Sequence, residues 1–165
     1  MDSGGNRLTH LDEDGSARMV DVGAKEVTTR RASAGCRVVM SPDTAARLAA
    51  GDLPKGDAIA VARLAGIQAA KRTWELIPLC HQVALTSVDV SVQIDADAGV
   101  ATVTAEAVAV DRTGVEMEAM VACTTAALAI YDMVKAVQRD VVVTDVRLLA
   151  KSGGRSGDYR AADGS

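Results

Sequence analysis

Two alternating segments separated by a short polar turn constrain the fold of this chain most strongly. Val83–Asp95 is VALTSVDVSVQID and Val100–Val110 is VATVTAEAVAV, so apolar and polar residues alternate in each segment. Between them, Asp97-Ala98-Gly99 has the composition of a hairpin turn. Alternation with a period of two places every second side chain on the same face of a sheet. The two segments therefore predict an antiparallel hairpin.

Three other segments carry helix signals. Ser41–Gly51 has a capping serine, a proline at the first helical position and a glycine after its end, which predicts a short helix. Ala58–Leu76 has alanine and isoleucine at helical spacing and ends just before Pro78, which predicts a longer helix. No glycine or proline occurs between Gly114 and Arg139, so the longest helix is expected there.

Strands at both ends of this pattern complete the predicted fold. Val27–Met40 is rich in β-branched and small residues, with an interruption expected near Gly35, and Val141–Leu149 predicts a final strand. The order β-α-α-β-β-α-β contains the split β-α-β pattern of ferredoxin-like domains, whose antiparallel sheet carries helices on one face. We therefore expect an α+β fold. Ala-rich helices and an open sheet face also predict an oligomer.

The near absence of aromatic residues determines how the core is built. The chain has no Phe, and Trp74, Tyr131 and Tyr159 are its only aromatic residues, so Val, Leu, Ile, Met and Ala must fill the core. Its 165 residues fit one domain. The predicted division is a mobile N-terminal segment (1–14), a single catalytic domain (15–158) and a mobile C-terminal tail (159–165).

The net charge and the hydropathy of the chain argue against nucleic acids and membranes as partners. A net charge of −4 and a pI near 5.1 argue against a nucleic-acid surface, which needs clustered Lys and Arg, so any phosphate site must be local. No apolar run approaches the roughly 20 residues of a membrane span, and the polar start lacks the features of a signal peptide. We therefore expect a cytoplasmic protein with no nucleic-acid or membrane partner.

Cysteine and histidine are too sparse for a structural metal site. Cys36, Cys80 and Cys123 are widely spaced without a CxxC motif, and His10 and His81 are the only histidines. A tetrahedral zinc site normally draws four ligands from such residues. No metal ligand is therefore assigned, and disulfides are not expected in this compartment.

Two segments have the composition of a site. Gly66–His81, GIQAAKRTWELIPLCH, places cations, the only tryptophan and a Cys-His pair at the end of a predicted helix. Lys151–Asp158, KSGGRSGD, combines three glycines with two cations, which suits backbone N–H groups and cations that hold phosphate. The second segment lacks Walker spacing, and a flexible tail explains it equally well. Together the segments favour a phosphorylated substrate.

Each residue in these segments also has a purely structural explanation. Lys55 suits an exposed turn, and Lys71 suits a helix C-terminus, where a cation stabilises the dipole without any ligand. His81 fits a proton carrier or a buried, hydrogen-bonded structural residue. Cys80 lacks an obvious orienting base in the sequence around it, so thiol catalysis is not favoured.

The longest predicted helix carries acidic groups near both ends. The helix dipole stabilises acidic side chains in the first turn, so Glu116 and Glu118 fit that position without any function. Asp132 and Lys135 form either a surface ion pair or an acid/base couple. A rise of 1.5 Å per residue places Glu118 and Asp132 about 21 Å apart. One small substrate cannot contact both, so a shared site must draw on two chains.

Six motifs resemble the cyclic pyranopterin monophosphate synthase family of molybdenum cofactor biosynthesis. The resemblance covers nearly the whole chain, and the motifs occur in the order of that family. They are Met19–Val22 (MVDV), Lys55–Asp57 (KGD), Ala65–His81 (AGIQAAKRTWELIPLCH), Thr113–Ala119 (TGVEMEA), Ile130–Ala136 (IYDMVKA) and Arg147–Asp158 (RLLAKSGGRSGD).

The resemblance implies a lyase that rearranges 3′,8-cyclo-7,8-dihydroguanosine 5′-triphosphate into cyclic pyranopterin monophosphate and releases diphosphate. It implies that no cofactor is required and leaves open whether Mg²⁺ accompanies the triphosphate. It also implies a homohexamer, built as a trimer of dimers, with its pockets at the dimer interface.

Roles for individual residues follow from the same resemblance. Asp132, Lys135 and Lys55 are implied to be catalytic. The implied substrate-binding residues are Leu79, Cys80, His81, Met117, Glu118, Glu116, Arg30, Lys71 and Lys151. The chain departs from the family pattern at Gln82, where proline is usual, and at Arg112, where lysine is usual. Arg112 keeps the charge but not the proton-transfer capacity of lysine.

Two other classes of function remain open from the residues alone. A regulator that binds a phosphorylated ligand without turnover would share these motifs. A purely structural oligomeric scaffold would instead leave their charged side chains directed to bulk solvent.

Overall fold

Five strands and four helices make up residues 14–162, the part of the chain that this computed structural model describes. They are β1 (Thr28–Val39), α1 (Pro42–Ala50), α2 (Ala58–Ala70), α3 (Thr73–Leu76), β2 (Leu85–Asp95), β3 (Val100–Asp111), α4 (Glu116–Val134), β4 (Val142–Ser152) and β5 (Tyr159–Arg160). The N-terminal segment predicted to be mobile lies outside the described residues except for Asp14, and so do the last three residues of the predicted tail.

The strands form one sheet in the order β2-β3-β1-β4-β5, with every neighbouring pair antiparallel. The predicted hairpin is confirmed, because β2 and β3 pair with Val90 opposite Ala105. The expected α+β class with an antiparallel sheet is confirmed as well. The neighbours of β1 in the sheet are β3 and β4, and both are distant from β1 in sequence. Tertiary packing, and not a local turn, therefore determines which strands pair with β1.

The predicted interruption near Gly35 takes the form of an irregular ladder. Strand β1 is continuous, but its register with β4 shifts between Ser33 and Ala34 and again between Gly35 and Arg37. On β4, Asp145 has a φ of +56° at the second shift. Such a backbone is uncommon outside glycine, although Asp tolerates it better than most residues.

Helices α2 and α4 cover one face of the sheet. Alternate residues of β1, including Ala34, Cys36 and Val38, are buried on that face. The Cys36 thiol there donates to the backbone oxygen of Cys123 on α4 at 3.5 Å. The opposite face carries exposed residues such as Arg31 and Arg37. The core therefore lies in a single layer between the sheet and the helices.

The core is built from small side chains, as the composition predicts. Its alanines lie on β1, β3, α1, α2 and α4, and they let backbones approach closely. One such close approach is at Gly66 on α2, where an added Cβ would lie 2.8 Å from the backbone oxygen of Ala122 and 3.0 Å from Val90. Glycine at this position therefore sets how closely α2 packs against α4 and β2.

The helix termini show one success and one error of the sequence prediction. The Ser41 side chain accepts from the Thr44 N–H, and Gly51 ends α1 in a left-handed conformation, as predicted. The helix predicted over Ala58–Leu76 instead stops at Ala70 and resumes as the short α3. The Thr73 hydroxyl donates to the Ala70 oxygen at 3.0 Å and so binds a carbonyl freed at the break.

The C-terminal boundary also differs from the prediction. Tyr159 and Arg160, assigned to the mobile tail, pair with Lys151 and Ala150 as strand β5. The glycine-rich segment between β4 and β5 is therefore a hairpin turn and not the start of a tail. Its three glycines, Gly153, Gly154 and Gly157, all have positive φ angles, which reverse the chain at little steric cost.

Helix α4 is long and apolar enough to cross a membrane by length and composition alone. Its packing gives another reason for that composition, because half of its most apolar stretch is buried within the protein, against the sheet and α2. A core helix passes the same test.

Substitution of Gly66 tests the close packing of α2. We expect Gly66→Ala to lower the free energy of unfolding by about 1–3 kcal/mol, because the methyl group meets backbone at 2.8 Å. This loss outweighs the helix-propensity gain of about 1 kcal/mol. Urea unfolding measures it, with Gln68→Ala on the exposed face of α2 as the control. A Gly66→Ala protein as stable as the control would contradict this packing.

Candidate functional site

A cleft of about 860 Å³ lies between the start of β1, the turn from β3 to α4 and the turn from β4 to β5. We call it the cationic cleft because six of its lining side chains are cationic and two are acidic. The cations are Lys25, Arg30, Arg31, Arg112, Lys151 and Arg155, and the acids are Glu26 and Glu116. This excess of positive charge suits an anionic ligand.

Lys151 links two walls of the cationic cleft. Its ammonium lies 3.0 Å from a Glu116 oxygen at the start of α4 and donates to the Ser156 hydroxyl at 3.1 Å. Strand β4 supplies Lys151, and the hairpin turn brings Ser156 back to it. The ammonium thus already has anionic and polar partners, which a phosphate oxygen entering the cleft could replace.

A smaller cleft of about 320 Å³ adjoins the first. We call it the loop cleft because the Leu79-Cys80-His81 loop forms one side of it, and the start of α4, with Met117 and Glu118, forms another. Both clefts are lined by Lys25, Thr113, Gly114 and Glu116. The two hollows therefore share a wall and can hold two parts of one ligand.

His81 is fixed by a hydrogen bond to the chain that precedes β1. Its Nε2 lies 2.7 Å from the backbone oxygen of Val20. A carbonyl oxygen only accepts, so Nε2 carries the proton and donates it. In the neutral ring, Nδ1 is then the unprotonated nitrogen, available to accept a proton or a hydrogen bond.

Glu118 is the buried acid of the loop cleft. It is only 4% exposed, and burial raises its pKa to about 7, with the charges of Glu116 and Asp111 acting in the same direction. Burial and the Glu118 charge also raise the pKa of the Cys80 thiol, which disfavours a nucleophilic thiolate. Glu118 can therefore exchange a proton near neutral pH, whereas Cys80 suits packing or substrate contact.

A second charged group lies at the opposite end of α4. The two Asp132 oxygens each accept from a lysine at 2.7 Å, one from Lys55 and one from Lys135. Lys55 also donates to the Asp132 backbone oxygen at 2.9 Å. Hydrogen bonds from Lys135 and then Lys55 lower the pKa of Asp132 to about 2, and Asp132 raises that of Lys135. We call these three residues the lysine–aspartate cluster.

The lysine–aspartate cluster is remote from both clefts within one chain. None of its three residues lines either hollow. The sixteen positions from Glu116 to Asp132 span about 24 Å along α4 at the standard helical rise. The structure therefore divides the predicted site residues between the two ends of one helix.

Most of the predicted substrate-binding residues meet at the two clefts. Arg30, Glu116 and Lys151 line the cationic cleft. The loop cleft is lined by five more of the predicted residues, Leu79, Cys80, His81, Met117 and Glu118. Lys71 is exposed at the C-terminal end of α2 and lines neither cleft. The prediction that it shares their pocket is not met within one chain.

The prediction also missed several lining residues. Lys25 and Thr113 line both clefts, and Arg112 lines the larger one. Thr113 begins the TGVEMEA motif and Arg112 directly precedes it, but neither was assigned to the site. Thr28 lines the cationic cleft as well, and within residues 14–162 its hydroxyl is the one buried side-chain polar atom without a hydrogen-bond partner. The unpaired hydroxyl is the only feature that marks Thr28 as a site residue, and a sequence pattern cannot show that a hydroxyl lacks a partner.

The cysteine, histidine and acidic side chains of the described region do not converge as a metal site. No group of three or more of them within residues 14–162 is arranged to hold a metal ion. Cys36 and Cys123 are buried in the core, and all three cysteines are free. That no cofactor is required stays a prediction.

Comparison with known proteins gives the family. A family model described as the MoaC family matches residues 19–154. The chain belongs to this family. A cyclic pyranopterin monophosphate synthase from Streptomyces griseus is 57% identical over 155 residues, which are 94% of this chain and 86% of the relative. One from Roseiflexus sp. is 56% identical over 92% of this chain and 96% of the relative.

A third relative shows the same extent of similarity. Cyclic pyranopterin monophosphate synthase 3 of Mycobacterium tuberculosis is 55% identical over 156 residues, 94% of this chain and 88% of the relative. The residues that the MoaC family model matches include the whole lining of the loop cleft, the lysine–aspartate cluster and the lining of the cationic cleft except Arg155 and Ser156.

Stability against pH tests the environment of Glu118. The raised pKa means that the folded protein binds more protons than the unfolded one between about pH 4.5 and 7. Glu118 therefore makes the free energy of unfolding fall as pH rises through this window, by at most about 1.4 kcal/mol per pH unit. In Glu118→Gln this contribution disappears. Urea unfolding of both proteins from pH 4.5 to 8 measures the difference, and parallel curves would contradict the assignment.

Proposed function

We propose that this member of the MoaC family is a cyclic pyranopterin monophosphate synthase of molybdenum cofactor biosynthesis. Its reaction would convert 3′,8-cyclo-7,8-dihydroguanosine 5′-triphosphate into cyclic pyranopterin monophosphate and diphosphate, which places it among the lyases. The observation that carries the proposal is the identity of more than half to synthases over at least 92% of the chain. The charges and shapes of the clefts support it independently.

The cationic cleft suits the triphosphate of this substrate. Its volume of about 860 Å³ lies within the range of small-molecule sites. Lys151, Arg112 and Arg155 provide charges that neutralise phosphate, and cyclisation with release of diphosphate needs such neutralisation. The adjoining loop cleft would take the ring system, with His81 and Glu118 positioned to hydrogen bond to it.

The lysine–aspartate cluster suits acid/base work. Opening one ring and closing another requires repeated proton transfer, and lysines beside a carboxylate supply donors and an acceptor. With a pKa of about 2, Asp132 is ionised at neutral pH and would hold Lys55 and Lys135 in place and charged. In this proposal the lysines exchange protons with the substrate, and Asp132 orients them and stabilises their charge.

The remaining features of the proposal follow from the same reaction. It needs no resident cofactor, and Mg²⁺ bound to the triphosphate would enter as part of the substrate. The proposal also places the enzyme in the cytoplasm, without a nucleic-acid or membrane partner, and the net charge of −4 supports the absence of a nucleic-acid surface.

The separation within α4 supports a site shared by two chains. Both charged groups can reach one substrate only if the lysine–aspartate cluster of one chain faces the clefts of another. Exposed apolar side chains on the helices support association, among them Leu64 at 67% and Leu128 at 55% exposure. The strand order β2-β3-β1-β4 supports a ferredoxin-like core. We propose a homohexamer, a trimer of dimers, with sites between chains.

Product analysis tests the proposed activity. Purified protein incubated with the cyclic guanosine triphosphate intermediate should release diphosphate and yield the cyclic pyranopterin, both measured by chromatography and mass spectrometry. GTP, which lacks the 3′,8 bond, is the matched control and should remain unchanged. Binding of the intermediate without product would instead identify a regulator that binds a phosphorylated ligand.

Complementation between inactive variants tests the shared site. We expect Asp132→Asn and Lys151→Ala each to lower kcat/KM by at least about 10²-fold. Unfolded together and refolded as mixed assemblies, the two variants should recover about one quarter of wild-type turnover, because random pairing rebuilds one intact site in each mixed pair.

In the control pair for this experiment, both substitutions lie in the lysine–aspartate cluster. Mixed assemblies of Asp132→Asn and Lys55→Ala contain no intact lysine–aspartate cluster, so they should stay inactive. Failure of the first pair to recover activity, in assemblies shown to be mixed, would contradict a site shared between chains.

A further inference from the structure

The Arg30 side chain lies between two walls of the cationic cleft and binds backbone on both. Nε donates to the Asp111 oxygen at 3.1 Å, and the two terminal nitrogens donate to the Gly153 and Arg112 oxygens, each at 3.3 Å. The residue is only 8% exposed although it lines the cleft. We propose that Arg30 is a positioning residue, which holds the β3–α4 turn and the β4–β5 turn together as the walls of this cleft.

The geometry requires a guanidinium. Its donors point outward in a rigid planar fork, so one side chain can bind carbonyls of two separate segments at the same time. A lysine ammonium carries its donors on one atom and would have to choose between Gly153 and the Asp111–Arg112 pair. Positive charge alone therefore does not replace Arg30.

Two glycines of the β4–β5 turn leave room for the Arg30 side chain and its strand. An added Cβ at Gly154 would lie 1.5 Å from the Arg30 Nη1, and one at Gly153 would lie 2.1 Å from the Thr29 oxygen. Both residues also have positive φ angles. At Gly157 in the same turn, by contrast, an added Cβ would meet nothing within 4 Å. Two of the three glycines thus let the turn lie directly on the strand and its guanidinium.

The link that Arg30 forms between the two turns matters most when the substrate is bound. This step of the inference rests on the proposed function. The Lys151–Glu116 ion pair is a second side-chain link between the same two walls. A phosphate that draws the Lys151 ammonium away from Glu116 breaks this second link. Arg30 then remains the side-chain link that keeps Arg112 and Lys151 at the spacing that the substrate requires.

Arg30→Lys tests the proposal because it keeps the charge and removes the fork. Hydrogen exchange of the ligand-free variant should accelerate in both turns, residues 111–114 and 152–157. We expect kcat to fall by about 10²-fold, as for a misplacement of about 1 Å, while the urea midpoint changes little. Guanidinium chloride, below unfolding concentrations, should restore part of the turnover of Arg30→Ala. Unchanged exchange in either turn, or near-normal kcat in Arg30→Lys, would overturn the proposal.

A second variant leaves Arg30 itself in place. Gly154→Ala should displace the guanidinium and accelerate exchange in residues 111–114, on the opposite wall, as well as in its own turn. Gly157→Ala, the matched control, should affect only residues 152–157. Equal effects of the two alanines on residues 111–114 would overturn the link. These exchange measurements need no substrate, so their outcome is independent of whether the proposed reaction occurs.

Discussion

The close packing of α4 against β1, β3 and α2 is the constraint on which the site depends. Alanines, Cys36 and Gly66 leave so little space that the helix lies almost directly on its neighbours. A core of this kind cannot be reshaped by small rotamer changes, because there are few long side chains to rotate. The helix is consequently a fixed spacer. Its first turn forms a wall of both clefts, and its last turn carries Asp132.

The two ends of this spacer place carboxyl groups in opposite electrostatic environments. Asp132 is exposed and binds two ammonium groups, which hold its pKa near 2. Glu118 is buried, and burial raises its pKa to about 7, with the charges of Glu116 and Asp111 acting in the same direction. At neutral pH the first is a permanent anion and the second exchanges its proton readily. One helix thus presents a carboxylate that holds its charge and a carboxyl that exchanges its proton, a division of roles that suits a proton-transfer reaction.

Local patterns predicted the elements of this fold, and tertiary contacts account for the errors. Alternation identified β2 and β3, and terminus signals identified α1, because both patterns depend on neighbours in sequence. The break between α2 and α3 and the pairing of Tyr159 depend on contacts that the sequence pattern does not report. Motifs likewise identified most lining residues of the two clefts, but Lys25 and Thr28 join them only through folding, and Lys71 lines neither cleft within one chain.

The same rigidity bears on how the two charged groups could act on one substrate. Closure within a chain would have to bring Asp132 to the clefts across about 24 Å of helix. Bending α4 that far would break backbone hydrogen bonds and expose the alanines that it buries, whereas a second chain can supply the missing cluster with both folds intact. The apolar side chains on the outer surfaces of α2 and α4 already favour association over exposure to water. Assembly is therefore the less costly way to complete the proposed site, and catalysis by the proposed mechanism would depend on contact between copies.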